Sequence, residues 1–454
     1  MELKRQLGYA TATLVIVADM IGTGIFMTTG NVLGMTGSAL IVLGLFFVGG
    51  CIAVTGALSY SELATIWPDV GGEYVYLKKI FGFLPAFLTG WISLIVGFSA
   101  PIATGSLLVV QYTNTSMHNI TGAPSGSMVL DTIWTQKCAA ALIILFFGCV
   151  QMVGVKRASY FQNFLTILKI LIVISFIGLG LAAVDPANIS RLVASYPSSI
   201  EGGVPSFSLV GLALLVVMFA YSGWNGATYI AGEIKNPGRN LPRAMLTGTI
   251  LTMVLYLLLN MVFLLAAPAQ EIMGKDEVGA IAAASLFSPG LKNIFTLSIA
   301  VILLSCVSVQ MMVGPRVCYA MAKDKMIFSF LSRLHPKYAT PWLAIVIQMS
   351  LAILYVFLGN AMTLVMYMGF ALNIFPVLAV IGLMYLRYKE PNLERPFRVP
   401  GYPFVPLVYI ISSITMMVAA LMSWTSTSLF AIGVVVLGIP VFYLWQIFVN
   451  KKTL

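Results

Sequence analysis

The stretch "VADMIGTGIFMTTG", Val17 to Gly30, lies inside the first apolar segment and carries two glycines, Gly22 and Gly24, with an acid at Asp19. A continuous helix in lipid favours neither. Glycine weakens a helix interior by roughly 1 kcal/mol relative to alanine, and an aspartate at the bilayer centre costs about 2.5–3.5 kcal/mol on insertion scales. Unwound backbone also frees amides and carbonyls that hydrocarbon cannot satisfy, so it persists only where it lines a cavity or meets a ligand. The stretch reads as a membrane-spanning helix interrupted to make a site.

Composition supports the membrane setting. The chain has 454 residues, 59% hydrophobic and only 9% charged, with a mean hydropathy of +0.97, outside the range of soluble domains. Its long apolar runs lack the period-two alternation of barrel strands, so the spanning elements are helices. Hydropathy and punctuation predict an all-α integral membrane protein of 12 spans, near 10–34, 38–66, 83–112, 137–154, 160–184, 206–232, 242–267, 290–322, 342–359, 362–386, 403–424 and 427–449. Met1 to Arg5 precede a run too long for a signal-peptide core and without a small-residue cleavage site, which predicts a retained first helix.

The net charge of +10 does not indicate nucleic acid, because its distribution follows the membrane. With both termini cytoplasmic, 20 of the 25 lysines and arginines fall in inner segments; Lys137, Arg191, Lys275 and Lys292 fall outside, and Lys169 lies within the fifth span. This asymmetry fits the positive-inside rule and a multi-pass protein of the cell membrane. The five cysteines sit in apolar runs without metal-ligand spacing and read as packing residues. His118 and His335 lie in distant loops, so neither a metal site nor a histidine-based catalytic group is indicated; no cofactor is expected and the chain does not read as an enzyme.

A second interruption falls in the sixth span, where "YSGWNG", Tyr221 to Gly226, again clusters glycine and small polar residues. If the first ten spans form two repeats, of residues 1–200 and 201–388 with spans 11 and 12 in 389–454, the two breaks occupy equivalent places, the best sequence pointer to a transporter site at the midplane. Broken helices supply amide donors at a half-helix N-terminus and acceptor carbonyls at the preceding end, a match for a zwitterion. A free α-carboxylate would sit on the amides of Thr23 and Gly24, with the Thr23 hydroxyl adding a donor. An α-ammonium would sit on carbonyls near Met20, Phe219 and Ser222. The competing account, small residues for helix packing, suits one Gly-x-Gly but not two related breaks.

Lys169 stands in "FLTILKILIVISFIGLGLAA", too deep for its stem to reach an interface easily. It could bind the unwound carbonyls of the first span or carry a coupled proton. Asp19 could pair with Lys169, take a proton during the cycle, or face a hydrated vestibule.

These motifs resemble the amino acid, polyamine and organocation (APC) superfamily. The resemblance rests on "IGTGIF" (Ile21 to Phe26), "SELATIWPDVGGEYVYL" (Ser61 to Leu77), "FAYSGWNGATYIAGEIKNPGRNLPRA" (Phe219 to Ala244) and "RPFRVPGYPFVP" (Arg395 to Pro406), and is strongest to the L-type amino acid transporter branch and its bacterial relatives. It implies a LeuT-like fold with a 5+5 inverted repeat and sodium-independent amino acid transport by alternating access. Position by position it implies that Ile21, Gly22, Thr23, Gly24 and Ile25 hold the carboxylate and that Met20, Phe219 and Ser222 offer carbonyls to the amine. It further implies that the Phe219 ring is an external gate, that Asn225 lines the pocket, and that Lys169 replaces a sodium ion. The acid at Asp19 departs from the neutral residue common there. No cysteine occurs between Gln111 and Lys137, so no disulfide-linked heavy chain is expected.

A pocket for a cationic substrate needs a carboxylate for the distal charge, and Asp19 is the only acid the sequence places within a span. Neutral L-amino acids are therefore expected, by exchange or proton-coupled uptake. The alternatives are a cationic amino acid or polyamine carrier and, in another class, a membrane amino acid receptor that does not translocate.

Overall fold

The computed structural model describes residues 3–122, 124, 126–194, 207–358 and 361–451. The first span is two helices, α1 (Tyr9–Met20) and α2 (Thr23–Thr36), bent by 41° at the break. Then follow α3 (Ala39–Ile66), the short α4 (Glu73–Phe81) between spans, and α5 (Phe83–Thr121), with a π-helical turn at Ser93–Phe98. The first half closes with α6 (Ile133–Met152) and α7 (Val155–Ala183).

The sixth span repeats the device of the first. Helix α8 (Phe207–Ala220) stops at Tyr221, and only a single turn, α9 (Gly226–Tyr229), resumes beyond. The remaining spans are α10 (Pro237–Ala266), α11 (Val278–Leu286, a short helix outside them), α12 (Pro289–Lys323), α13 (Trp342–Leu358), α14 (Ala361–Lys389), α15 (Phe404–Ser423) and α16 (Thr425–Lys451). Among the described residues eight helices are long and apolar enough to cross a bilayer unaided, and the bent α1–α2 pair makes a ninth. The shorter apolar α8 and α13, with α14, complete twelve helical segments that coincide with the expected spans. The protein is an all-α, multi-pass membrane protein.

Close packing explains the small residues at the breaks. A Cβ on Gly24 would lie 2.5 Å from the Ala220 Cα, and one on Gly22 would lie 2.7 Å from the Cys306 Sγ. Gly223 adopts φ +99°, open in practice only to glycine, and a Cβ there would meet Asp19 at under 3 Å. The two broken spans thus touch backbone to backbone. Around them α3 packs along α10, α5 along α12, α6 along α13, and α2 against α8.

Side chains lace the ends. On the side expected to be cytoplasmic, Glu233 and Arg316 form a buried pair, Nε to Oε1 2.9 Å, and the Glu233 carbonyl accepts from the amides of Gln6 and Leu7. Glu62 pairs with Arg387 and Arg395. At the other end the Asp131 carboxylate accepts from the Met128 and Gly126 amides and meets His118 Nε2 at 2.5 Å. These bonds, the Met128 amide first, hold its carboxyl well below the usual carboxylate range.

The cysteines depart from the expectation of packing residues. Cys318 is buried and Cys306 half-buried, but Cys51, Cys138 and Cys149 are exposed on the outer faces of their helices, where the surrounding medium is acyl chain and a small apolar thiol costs little.

Candidate functional site

The two breaks meet at a cavity of about 110 Å³. Of the residues expected at the site, Asp19, Met20, Gly22, Thr23, Gly24, Phe219, Ser222 and Asn225 line it. Ile21 and Ile25 do not; both side chains are fully buried in the surrounding core. Lys169 sits behind the cavity wall rather than in it.

The cavity faces the start of α2, where Gly22 is the N-cap and offers no side-chain cap. The first-turn amides of a helix have no acceptor within the helix, so the cavity meets free donors and the positive end of the helix dipole. The opposite polarity comes from the ends of α1 and α8. There the Tyr256 hydroxyl, 2.5 Å from the Met20 carbonyl oxygen and 2.9 Å from that of Ala220, bridges the two half-helices, its one proton serving either acceptor. The Phe219 carbonyl accepts from the Ser222 hydroxyl at 2.7 Å. That carbonyl also accepts from the Ser222 amide at 3.1 Å, so both its lone pairs are engaged, whereas the Met20 carbonyl holds the Tyr256 hydroxyl and retains a second lone pair.

Lys169 lies at the middle of α7 and is fully buried. Its ammonium donates to the Ala18 carbonyl at 2.9 Å and the Ile21 carbonyl at 2.5 Å. These are carbonyls that the end of α1 leaves unpaired, so a fixed cation satisfies the unwound backbone. Asp19 does not form an ion pair with Lys169; its Oδ1 accepts from Gln310 Nε2 at 2.6 Å. Of the three roles open to Asp19, direct pairing is absent here, and its side chain lines the cavity.

One acid in the cavity escaped the sequence reading. Glu73, the first residue of α4, lies between spans, yet its carboxylate turns inward to the second break. Oε1 accepts from Asn225 Nδ2 at 2.6 Å and from the Tyr229 hydroxyl at 3.1 Å, and Oε2 from the Thr89 hydroxyl at 3.3 Å. The cavity thus has two carboxylates, Asp19 and Glu73, and no lysine, arginine or histidine among its described lining residues. The available signal was the Gly71-Gly72 pair preceding Glu73: both have positive φ, and they let the chain turn tightly against Tyr229. Hydropathy alone placed this segment in a loop. Tyr256 and Gln310 were missed for a different reason, since contacts between distant spans leave no local mark.

Comparison with known proteins agrees with this architecture. Residues 7–449 match the family model "Amino acid permease". The serine/threonine exchanger SteT of Bacillus subtilis is 30% identical over 97% of this chain and 97% of its own length. The mouse b(0,+)-type amino acid transporter 1 is 31% identical over 93% of this chain and 84% of its own. The human large neutral amino acids transporter small subunit 2 is 29% identical over 98% of this chain and 81% of its own. The chain belongs to the amino acid permease family, and it is an amino acid transporter rather than an enzyme.

Proposed function

We propose that the protein carries neutral L-amino acids by sodium-independent alternating access, as an exchanger or by proton-coupled uptake. The observation that carries this reading is the Lys169 ammonium on the Ala18 and Ile21 carbonyls. A fixed cation occupies the unwound backbone that a bound metal cation would otherwise satisfy. The substrate carboxylate then falls to the amides of Gly22, Thr23 and Gly24. Its amine falls to the carbonyls near Met20, Phe219 and Ser222, with Asn225 at the side of the pocket and Phe219 as outer gate.

Helix pairing supports the two-repeat reading. In a five-plus-five repeat, spans 1 and 6, 2 and 7, 3 and 8, and 4 and 9 are equivalent partners, and these pack as α2 with α8, α3 with α10, α5 with α12, and α6 with α13. Cys138, the cysteine nearest the outer loop, sits within α6 beside the exposed Trp134 and Leu142. This apolar, outward face supports a chain without a disulfide-linked subunit.

The acidic lining favours a second reading, a carrier of cationic amino acids. Against it, both carboxylates already hold neutral donors, Gln310 on Asp19 and three on Glu73, so neither stands bare for a substrate cation. Uptake of radiolabelled alanine, leucine and arginine into proteoliposomes separates the two. Neutral uptake that is indifferent to a sodium gradient is expected; arginine uptake with none of alanine or leucine overturns the assignment. Binding without counterflow would instead identify a receptor.

A further inference from the structure

We propose that Glu73 is the proton-binding residue of the transport cycle, coupled to the substrate through Asn225 in the break of the sixth span. The inference rests on the reading of the two breaks as the substrate site. Glu73 is 4% exposed, and like Asp19, but unlike the buried Glu62 and Glu233, it pairs with no basic group among the described residues. Glu62 has Arg387 and Arg395, and Glu233 has Arg316. Among the described residues no lysine, arginine or histidine lies within 4 Å of Glu73. A carboxylate buried without a cation either stays protonated or binds a positive charge at work.

The groups facing it from each neighbouring element add no cation. They are Tyr60 on α3, Tyr76 on α4, Thr89 on α5, Tyr229 on α9 and Tyr409 on α15, with Asp69 beyond Tyr76 and Asp19 across the cavity beyond Tyr229. A proton, small enough to join this packed cluster, fits where a guanidinium does not.

Geometry ties the carboxylate to the break. The Gly71 amide donates to the Tyr229 carbonyl at 3.0 Å, and a Cβ on Gly72 would meet the Tyr229 ring at 2.6 Å. Glu73 therefore sits at a fixed distance from α9, and its shortest hydrogen bond comes from Asn225, the N-cap of that turn. When the Asn225 amide turns to an incoming amino acid, Oε1 loses its shortest hydrogen bond, one that favours the charged form. The carboxylate then takes a proton from water in the vestibule, and it releases that proton when the substrate leaves and Asn225 returns. Substrate occupancy and protonation thereby favour each other. Helix α4 lies between spans, and there burial, opposed by the bonds from Tyr229, Thr89 and Asn225, pushes the Glu73 carboxyl up to about 6.

The test uses full-length protein in liposomes loaded with pyranine, with alanine, leucine and arginine as probes. In wild type, adding the transported probe acidifies the lumen, and uptake rises as pH falls through about 6. Glu73→Gln is expected to lose this acidification and the pH dependence while keeping at least a tenth of wild-type counterflow. Thr89→Val, which removes a donor without touching the breaks, is expected to move the pH midpoint upward, and it decides the matter if the glutamine variant does not fold. Wild-type acidification in Glu73→Gln, or an unmoved midpoint in Thr89→Val, overturns the proposal. Counterflow by the wild type without proton movement also overturns it, yet leaves the transporter reading standing; absence of counterflow for all three probes strikes at the site itself.

Discussion

At the scale of single residues, the breaks depend on what is missing as much as on what is present. Gly24 lets α2 approach α8 with no room for a methyl group, since a Cβ would lie 2.5 Å from the Ala220 Cα. Overpacking of this kind costs about 1–3 kcal/mol. Gly24→Ala is expected to lower thermal stability by that order and to reduce counterflow at least tenfold, because backbone, rather than a flexible side chain, has to yield. Lys169 makes the complementary case. Lys169→Met keeps the stem but leaves the Ala18 and Ile21 carbonyls bare, and transport is expected to vanish while the protein still elutes as a single species on size exclusion; wild-type exchange in that variant contradicts the role assigned to the ammonium. Both residues were legible from sequence, since a glycine pair and a lone cation are costly in lipid wherever they point. Glu73 was not legible, because a glutamate outside a span costs nothing until the chain folds it inward.

At the scale of elements, the short segments between helices fix how the broken spans are held. Residues Gln6 and Leu7 bond to the Glu233 carbonyl, Lys235 bonds back to Leu7, and the Glu233 side chain pairs with Arg316 of α12. Arg316 also donates to the Met312 carbonyl. Three elements, the N-terminal segment, the end of the sixth span and α12, are thus joined at one acid. Deleting one member of a buried pair costs about 3–5 kcal/mol, mostly from the charge left behind. Arg316→Met is expected to lose stability on that scale and to speed hydrogen exchange at Gln6 and Leu7, whereas the double variant Arg316→Met with Glu233→Leu recovers much of the loss. A double variant as unstable as the single one would show that the arginine acts through packing instead. Sequence places Arg316 as an inner-side charge but is blind to its partner, since hydropathy records depth and not pairing.

At the scale of the whole molecule, the twelve segments were legible because lipid imposes length and polarity on every one of them. Which faces of those helices meet was not, because an apolar helix in an apolar solvent shows little amphipathic pattern to read. Sidedness rests on charge. Lys78, Arg316, Arg387 and Arg395 gather with Asp324, Glu233 and Glu62 at one end, and the Asp131–His118 clip closes the other. Attraction of lysine and arginine to the cytoplasmic face is expected to put the N-terminal segment inside and the α5–α6 loop outside. Lys4 and Asn119 are both exposed, so each accepts a reporter cysteine in a variant whose five natural cysteines are replaced by serine. In right-side-out vesicles a membrane-impermeant maleimide is expected to label Asn119→Cys at once and Lys4→Cys only after permeabilisation. The reverse pattern would invert the molecule, and with it the direction in which Glu73 opens to water, because α4 and the Gln6–Glu233 junction belong to the same end.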